Sequence, residues 1–339
     1  MLRDILIRAA LKVPQIRDLH QSRRRLLAER EALLNRLSNT GTDSRGNVFF
    51  HYHSPFDLEA LLRRHALPHP EARPGYLVNF LGAAIDPKFL PEVLRDRAGS
   101  VEGPPIPSNW HSDIAEWGAV LRAVDLARGS FTVIELGCGW GCWLVNSGVA
   151  ARRAGLDVAL IGVEGDEGHL GFAREAGAGN GFAPEQLALH RGVAAAAAGI
   201  ALFPRQDQAG HHWGLEPVFG ATEAQREQAT RAGTHDALPM IPLADLAAPY
   251  PRIDLLHVDI QGGEAALIAG SLATLAAKVA YLVIGTHSRP IEGRIMDTLM
   301  DAGWVLEVER PALLTLDLSP TVRVDGVQGW RNPALTTAA

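Results

Sequence analysis

The chain has 339 residues and a mass of 36.4 kDa, enough for about two domains at roughly 150 residues each, or for one α/β fold with appendages. A hydrophobic share of 47% excludes a wholly disordered chain. Thirty-two Lys and Arg against 38 Asp and Glu give a net charge of −6, which excludes a dedicated nucleic-acid binder with its basic excess. Cys138 and Cys142 are the only two cysteines and lie in one glycine-rich run, so there is no disulfide framework. No stretch reaches the roughly 20 apolar residues needed to span a bilayer. The N-terminal run is broken by Arg8 and lacks a cleavage site, unlike a signal peptide. The expectation is a cytoplasmic α/β protein without a membrane span.

In chain order, residues 1–47 read as a helix followed by a turn-rich linker. Ile16, Leu19, Leu26, Leu33 and Leu37 recur near a 3.5-residue period, but Arg23 and Arg30 interrupt the stripe. A helix packed on its own domain or on a partner, including a second copy of the chain, fits better than a coiled coil. Residues 48–118 read as an N-terminal appendage covering one face of the domain that follows. Within it, PGYLVNFLGAAIDP is either a helix or a buried strand, GPPIPSNW is a rigid connector, and Ser112 is the expected N-cap of a helix through Trp117.

From about 119 to 339 short apolar runs alternate with helical patterns, the mark of a mostly parallel sheet with crossover helices. Strands are expected at 132–136, 159–163, 187–190, 253–258, 279–285 and 304–308. A seventh at 313–318 is expected to pair antiparallel at the edge. The AAAAAG run reads as a small-residue turn. Residues 204–239 are polar and too long for an ordinary connection, so they read as a substrate-facing mobile loop or lid.

The chemistry begins in VIELGCGWGCW. Glu135 ends a β-branched run, and Gly137, Gly139 and Gly141 form a strand-to-helix turn that a ligand can approach closely. In the dinucleotide fingerprint G-x-G-x-x-G the third glycine comes five residues after the first; here it comes four after. That spacing fits an S-adenosylmethionine pocket, with Cys138 lending its backbone to the turn. Glu164 ends the second strand 25 residues after Gly139, where a carboxylate can accept both ribose hydroxyls of a nucleoside. Asp259 ends the fourth strand, Gln261 to Glu264 turn into the next helix, and His287 ends the fifth strand. All belong to the sheet edge where open parallel sheets bind ligands.

These segments, ELGCGWG, GVEGD, HVDIQGGE and GTHSRPIE, resemble the FkbM-type S-adenosylmethionine-dependent methyltransferases over roughly Trp117 to Trp304. The resemblance implies a class I methyltransferase fold, a Rossmann-like α/β sheet of seven strands with helices on both faces. It implies O-methylation of a sugar, glycan or natural-product hydroxyl. Cofactor roles fall on Glu135, Gly137, Gly139, Gly141 and Glu164, and active-site roles on Asp259, Glu264 and His287.

Mechanistically, His287 is the expected general base, titrating near 6.5, with Asp259 orienting it or holding the substrate. Mg²⁺ on Asp259 with Glu264 or Asp254 is a secondary reading, because the sequence shows no dedicated acid cluster. Trp117 and Trp140 are expected either to cover the cofactor or to be core. Zinc is not expected from a single C-x-x-x-C, nor a metal on His51, His53, His211 or His212. Two alternatives stay open: a nicotinamide-dependent oxidoreductase, and a non-catalytic S-adenosylmethionine-binding adapter.

Overall fold

The computed structural model describes residues 47–315 and 320–336. The helix expected in residues 1–40 lies outside them. The chain divides after His51, and the fold below is built within Tyr52–Ala339.

Helix α1, Leu58–His65, starts where the Asp57 carboxylate accepts from the Ala60 amide, and buries Leu58, Leu61 and Leu62 on one stripe. PGYLVNFLGAAIDP resolves into two short antiparallel strands, β1 (Leu77–Val78) and β2 (Ala84–Ile85). Helix α2, Ile114–Leu126, is capped by Asp113, one residue later than expected, through the amides of Ala115 and Glu116. Aspartate wins this cap because its carboxylate reaches both orphan amides, whereas Ser112 donates to Glu116 instead.

The central sheet has seven strands in the order β5-β4-β3-β9-β10-β14-β11. They are β3 (Ser130–Leu136), β4 (Asp157–Glu164), β5 (Leu187–Arg191), β9 (Leu255–Val258), β10 (Tyr281–Thr286), β11 (Val305–Arg310) and β14 (Gly326–Arg331). The first five in that order are parallel, and β14 runs antiparallel to both its neighbours. This is the class I methyltransferase arrangement. One expected strand was misplaced. The 313–318 region supplies only β12 (Leu313–Thr315), paired with β13 (Thr321–Val324) in a separate ribbon. The true seventh strand, GVQGWR, lies inside the sheet, not at its edge. It has no apolar run because Gln328, 1% exposed, satisfies itself with the Trp330 indole and the Glu292 carbonyl.

A smaller sheet carries β6 (Val193–Ala195), β7 (Gly199–Pro204) and β8 (His235–Pro242). The AAAAAG run therefore begins as a strand, and the 204–239 segment is not one open loop. It ends in helix α5, Glu223–Arg231, with a Thr222/Gln225 capping box, and in the first residues of β8.

Helices cover both faces of the large sheet. On one face α1, α2, α3 (Cys142–Arg153) and α4 (Glu167–Gly179) enclose a core that includes Leu58, Trp117, Val133 and Leu160. On the other, α6 (Glu264–Gly270) and α7 (Arg289–Asp301) enclose Ile134, Leu256, Leu282, Ile295 and Trp330. Residues expected as an appendage thus share a core with the sheet. Among the described residues no helix is long and apolar enough to cross a membrane.

Trp117 is 1% exposed and meets the rings of Phe80 and Trp143 edge-on at 5.2 and 4.8 Å. Trp117→Ala should cost about 3–5 kcal/mol of stability, read from the urea midpoint at constant m value. A loss below about 1 kcal/mol would mean that this ring is not part of the cooperative core.

Candidate active site

The parallel strands all end at one edge, and the turn after β3 is built by two carboxylates. Glu135 points past its own strand end to the start of α3, accepting from the amides of Trp143 (3.2 Å) and Leu144 (2.9 Å). Glu164, at the end of β4, accepts from Gly139 N (2.9 Å) and Asp166 N (2.9 Å). Gly137 must be glycine: its φ is +76° and an added Cβ would lie 2.0 Å from the Asp259 carbonyl oxygen. Gly141 serves as N-cap of α3. Burial pushes the Glu135 carboxyl up to about 7, against the opposing pull of His257 and the two amides. Glu164 is raised as well, again chiefly by burial.

This bonding discriminates between ligands. A pyrophosphate needs free amides at the helix N-terminus, yet here those amides are occupied by a carboxylate. A second anion would meet Glu135 and Glu164 at close range. The turn suits a ligand that presents hydroxyls and positive charge.

A cavity of about 500 Å³ opens over the turn, within the size range of small-molecule sites. Glu135, Gly137, Cys138, Gly139, Glu164 and Asp259 line it. Trp140 lines it too, stacked on Phe89. Trp117 does not: it packs one layer back, behind Trp143, so its expected cofactor contact is corrected to a core role. From the 204–239 segment, Trp213 stacks face to face on His169 at 3.9 Å and closes over Gly139, whose added Cβ would sit 3.0 Å from the indole. His212, Pro217 and Phe219 continue that wall. The segment therefore faces the cavity, while its neighbour His211 turns towards Glu92.

Asp259, Glu264 and His287 meet, although they are contributed by three separate positions along the edge. His287 Nδ1 lies 2.8 Å from Glu264 Oε1 and Nε2 lies 3.2 Å from Asp259 Oδ1. Glu264 is held in turn by the amides of Gly262 (2.9 Å) and Ile260 (3.4 Å). This corrects the expectation of a free base titrating near 6.5. Burial opposes the imidazolium, but the two carboxylates outweigh it and push His287 up to about 10. A ring with both nitrogens engaged and its proton held through neutrality is not poised to accept another. Asp259 alone of the three lines the cavity, with its side chain 43% exposed. Asp254 sits at the opposite end of the strands, on Thr132 N and Arg252, and takes no part.

Sequence reasoning missed a second buried pair. His257 Nε2 lies 2.9 Å from Glu116 Oε1, the Glu116 carboxylate also accepts from Ser112, and His257 Nδ1 is buried without a partner. His257 lines the cavity beside Glu135, its register partner on β3. The available signal was period-2 alternation, which places His257 and Asp259 on one face of β9. His111, also lining the cavity, stands 2.6 Å from the Cys142 sulfur. Nothing in the sequence linked it to the glycine turn, 31 residues away.

Two outcomes follow from this geometry. Gly137→Ala must displace the β9 carbonyl and strain a left-handed φ, so it should cost about 2 kcal/mol or more in a urea melt. A neutral result would mean that the turn relaxes freely. His111 is lowered to about 4, mainly by burial, with Glu116 pulling the other way. Its folded value lies below the unfolded value of 6.5, so its share of stability is intact above 6.5 and is lost as pH falls from there towards 4. In a ¹H–¹⁵N histidine spectrum the ring should remain neutral at pH 5; a midpoint near 6.5 would contradict its burial.

No protein-family model matches the chain. A protein of Jannaschia sp. (strain CCS1) named “Putative methyltransferase” is 45% identical over 265 residues, covering 78% of this chain and 95% of its own length. Among solved structures, the methyltransferase FkbM of Methylobacillus flagellatus KT is 14% identical, covering 64% of this chain and 54% of its own, with a TM-score of 0.39. The ribosomal protein L11 methylase of Lactobacillus delbrueckii subsp. bulgaricus is 13% identical, covering 65% and 80%, with a TM-score of 0.35. At 45% identity over 78% of the chain, the Jannaschia relative shows that the chain belongs to the methyltransferase family and is an enzyme of that kind.

Proposed function

We propose that the protein is an S-adenosylmethionine-dependent O-methyltransferase of the FkbM type, acting on a hydroxyl of a sugar, glycan or natural product. The observation that carries this reading is one cavity lined by two chemically different groups: Glu164, bonded to the glycine turn, and Asp259, the exposed member of a charged trio.

The residues present fit the cofactor. Glu164 uses one lone-pair direction of each oxygen on Gly139 N and Asp166 N, which leaves the others for two ribose hydroxyls. Gly137 and Gly139 line the cavity with backbone, and Trp213 and Trp140 offer apolar faces to a ligand there. The buried Glu135 and Glu164 make the pocket hospitable to a sulfonium and an ammonium group.

When bound, the cofactor would supply a sulfonium methyl group as the electrophile for the acceptor oxygen, with the thioether as leaving group. The chain's own task is to align the hydroxyl and exclude water. Asp259 accepts the hydroxyl's hydrogen bond and orients its oxygen, and the hydroxyl proton is lost to solvent as the C–O bond forms. His287 and Glu264 hold Asp259 in place. The aromatic lining at Trp110, Trp213 and Phe219 supplies faces on which the C–H surface of a sugar ring can stack.

Titration calorimetry with S-adenosylmethionine tests the cofactor half. Two charge-assisted hydrogen bonds at about 1.5–3 kcal/mol each set the scale, so Glu164→Ala should weaken binding at least tenfold. Transfer of labelled methyl to a panel of hydroxyl acceptors tests the rest. An unchanged dissociation constant would refute the ribose assignment, and transfer only to nitrogen or carbon acceptors would refute O-methylation.

A further inference from the structure

We propose that Asp259, Glu264 and His287 form a binding site for one divalent cation of the Mg²⁺ or Mn²⁺ class, placed at the acceptor end of the cavity. The cation site stands on the geometry of the trio alone; its part in methyl transfer rests on the function proposed above.

The spacing is the first argument. One ligand atom from each residue lies within 4.8 Å of the others. Oxygen and nitrogen atoms about 2.0–2.6 Å from one ion cannot stand more than roughly twice that apart, so the trio already fits around a single centre. The three ligands come from separate rigid supports: the end of β9, the first residue of α6 and the end of β10. Such a set holds its shape before anything binds.

Charge is the second. Two carboxylates face a single imidazole, and His287 is the only cationic group bonded to either of them among the described residues. Even with the ring charged, the cluster carries an excess negative charge.

The third argument is independent of both. Glu264 is fully buried, at 0% exposure, and its Oε2 has no hydrogen-bond partner. Oε1 is well served, by Gly262 N and by His287 Nδ1. A buried carboxylate oxygen with no donor is costly, and neither the ring proton nor the turn amides relieve it. A cation between Glu264 and Asp259 would. Asp259, 43% exposed, leaves the remaining coordination positions open to the cavity, as a working site requires and a purely structural one does not.

Two oxygen donors and one imidazole suit a hard or borderline divalent ion, not a thiolate-seeking one. Such an ion would draw the acceptor oxygen, or a pair of neighbouring hydroxyls, towards Asp259. It would also lower the hydroxyl's pKa, with the released proton passing to solvent. Coordination through one ring nitrogen requires His287 to release the proton it shares with the carboxylates, so cation binding should weaken as pH falls.

The probe is Mn²⁺ added to the chelator-treated full-length protein, followed by electron paramagnetic resonance of free Mn²⁺ and by calorimetry. The expected result is one Mn²⁺ per chain, displaced by excess Mg²⁺ and weakened at least tenfold in Asp259→Asn and in His287→Gln. Asp236→Asn, a change in a surface acid paired with Arg191 and Arg205, should bind as the parent does. Anomalous scattering from Mn²⁺-soaked parent crystals, with a peak among the three side chains, gives the same answer without any variant, should the variants not fold. No stoichiometric binding, affinity unchanged in both trio variants, or a peak elsewhere would overturn the proposal. S-adenosylmethionine binding is read separately. Its loss with Mn²⁺ binding intact would sink the cofactor reading and spare the cation site, and the reverse result would do the opposite.

Discussion

Everything at the ligand edge depends on how two buried carboxylates grip the turn after β3. Glu135 ties the strand end to the first amides of α3, and Glu164 ties the end of β4 to Gly139. The backbone can curl that tightly only because Gly137 has no side chain to strike the Asp259 carbonyl. The result is a floor with its helix amides already used by carboxyl oxygens. A glycine-rich turn of similar appearance with free amides would bind phosphate. The same motif class is thus switched from one ligand chemistry to another by where two acid side chains point.

The walls of the cavity come from parts of the chain outside the sheet. The segment before α2 brings Trp110 and His111, and the 204–239 segment brings His212, Trp213 and Phe219. Their attachment is aromatic and local: Trp213 on His169, His111 against Trp143, Trp140 on Phe89. Behind them the layer of Trp117, Phe80 and Leu58 is fully packed, so the walls rest on a core that cannot easily shift. In this arrangement the sheet edge supplies the floor of the cavity and the segments outside it supply its walls.

Strands β3, β4, β9 and β10 were readable because each is largely buried on both faces and so appears as a short apolar run. Glu135, Glu164, Asp259 and His287 were readable because strand ends next to glycine turns are few. β14 was not, because its burial is carried by glycines, one tryptophan and a glutamine that bonds inside the fold. The state of His287 was also beyond reach. Its distance from Glu264 is 23 residues in sequence but 2.8 Å in space, and only the fold shows that both ring nitrogens are taken. Glu116 and His257 lie 141 residues apart and become a pair for the same reason. Pattern locates a side chain along an element. It does not say which distant charge will neutralise it.

The most direct test of this account is a crystal structure with S-adenosylhomocysteine bound. The account predicts both ribose hydroxyls within about 2.6–3.0 Å of the Glu164 carboxylate. It also predicts the sulfur turned towards the Asp259 end and the adenine against the aromatic wall. A ribose held elsewhere, or a product molecule lying outside the cavity over the glycine turn, would contradict it.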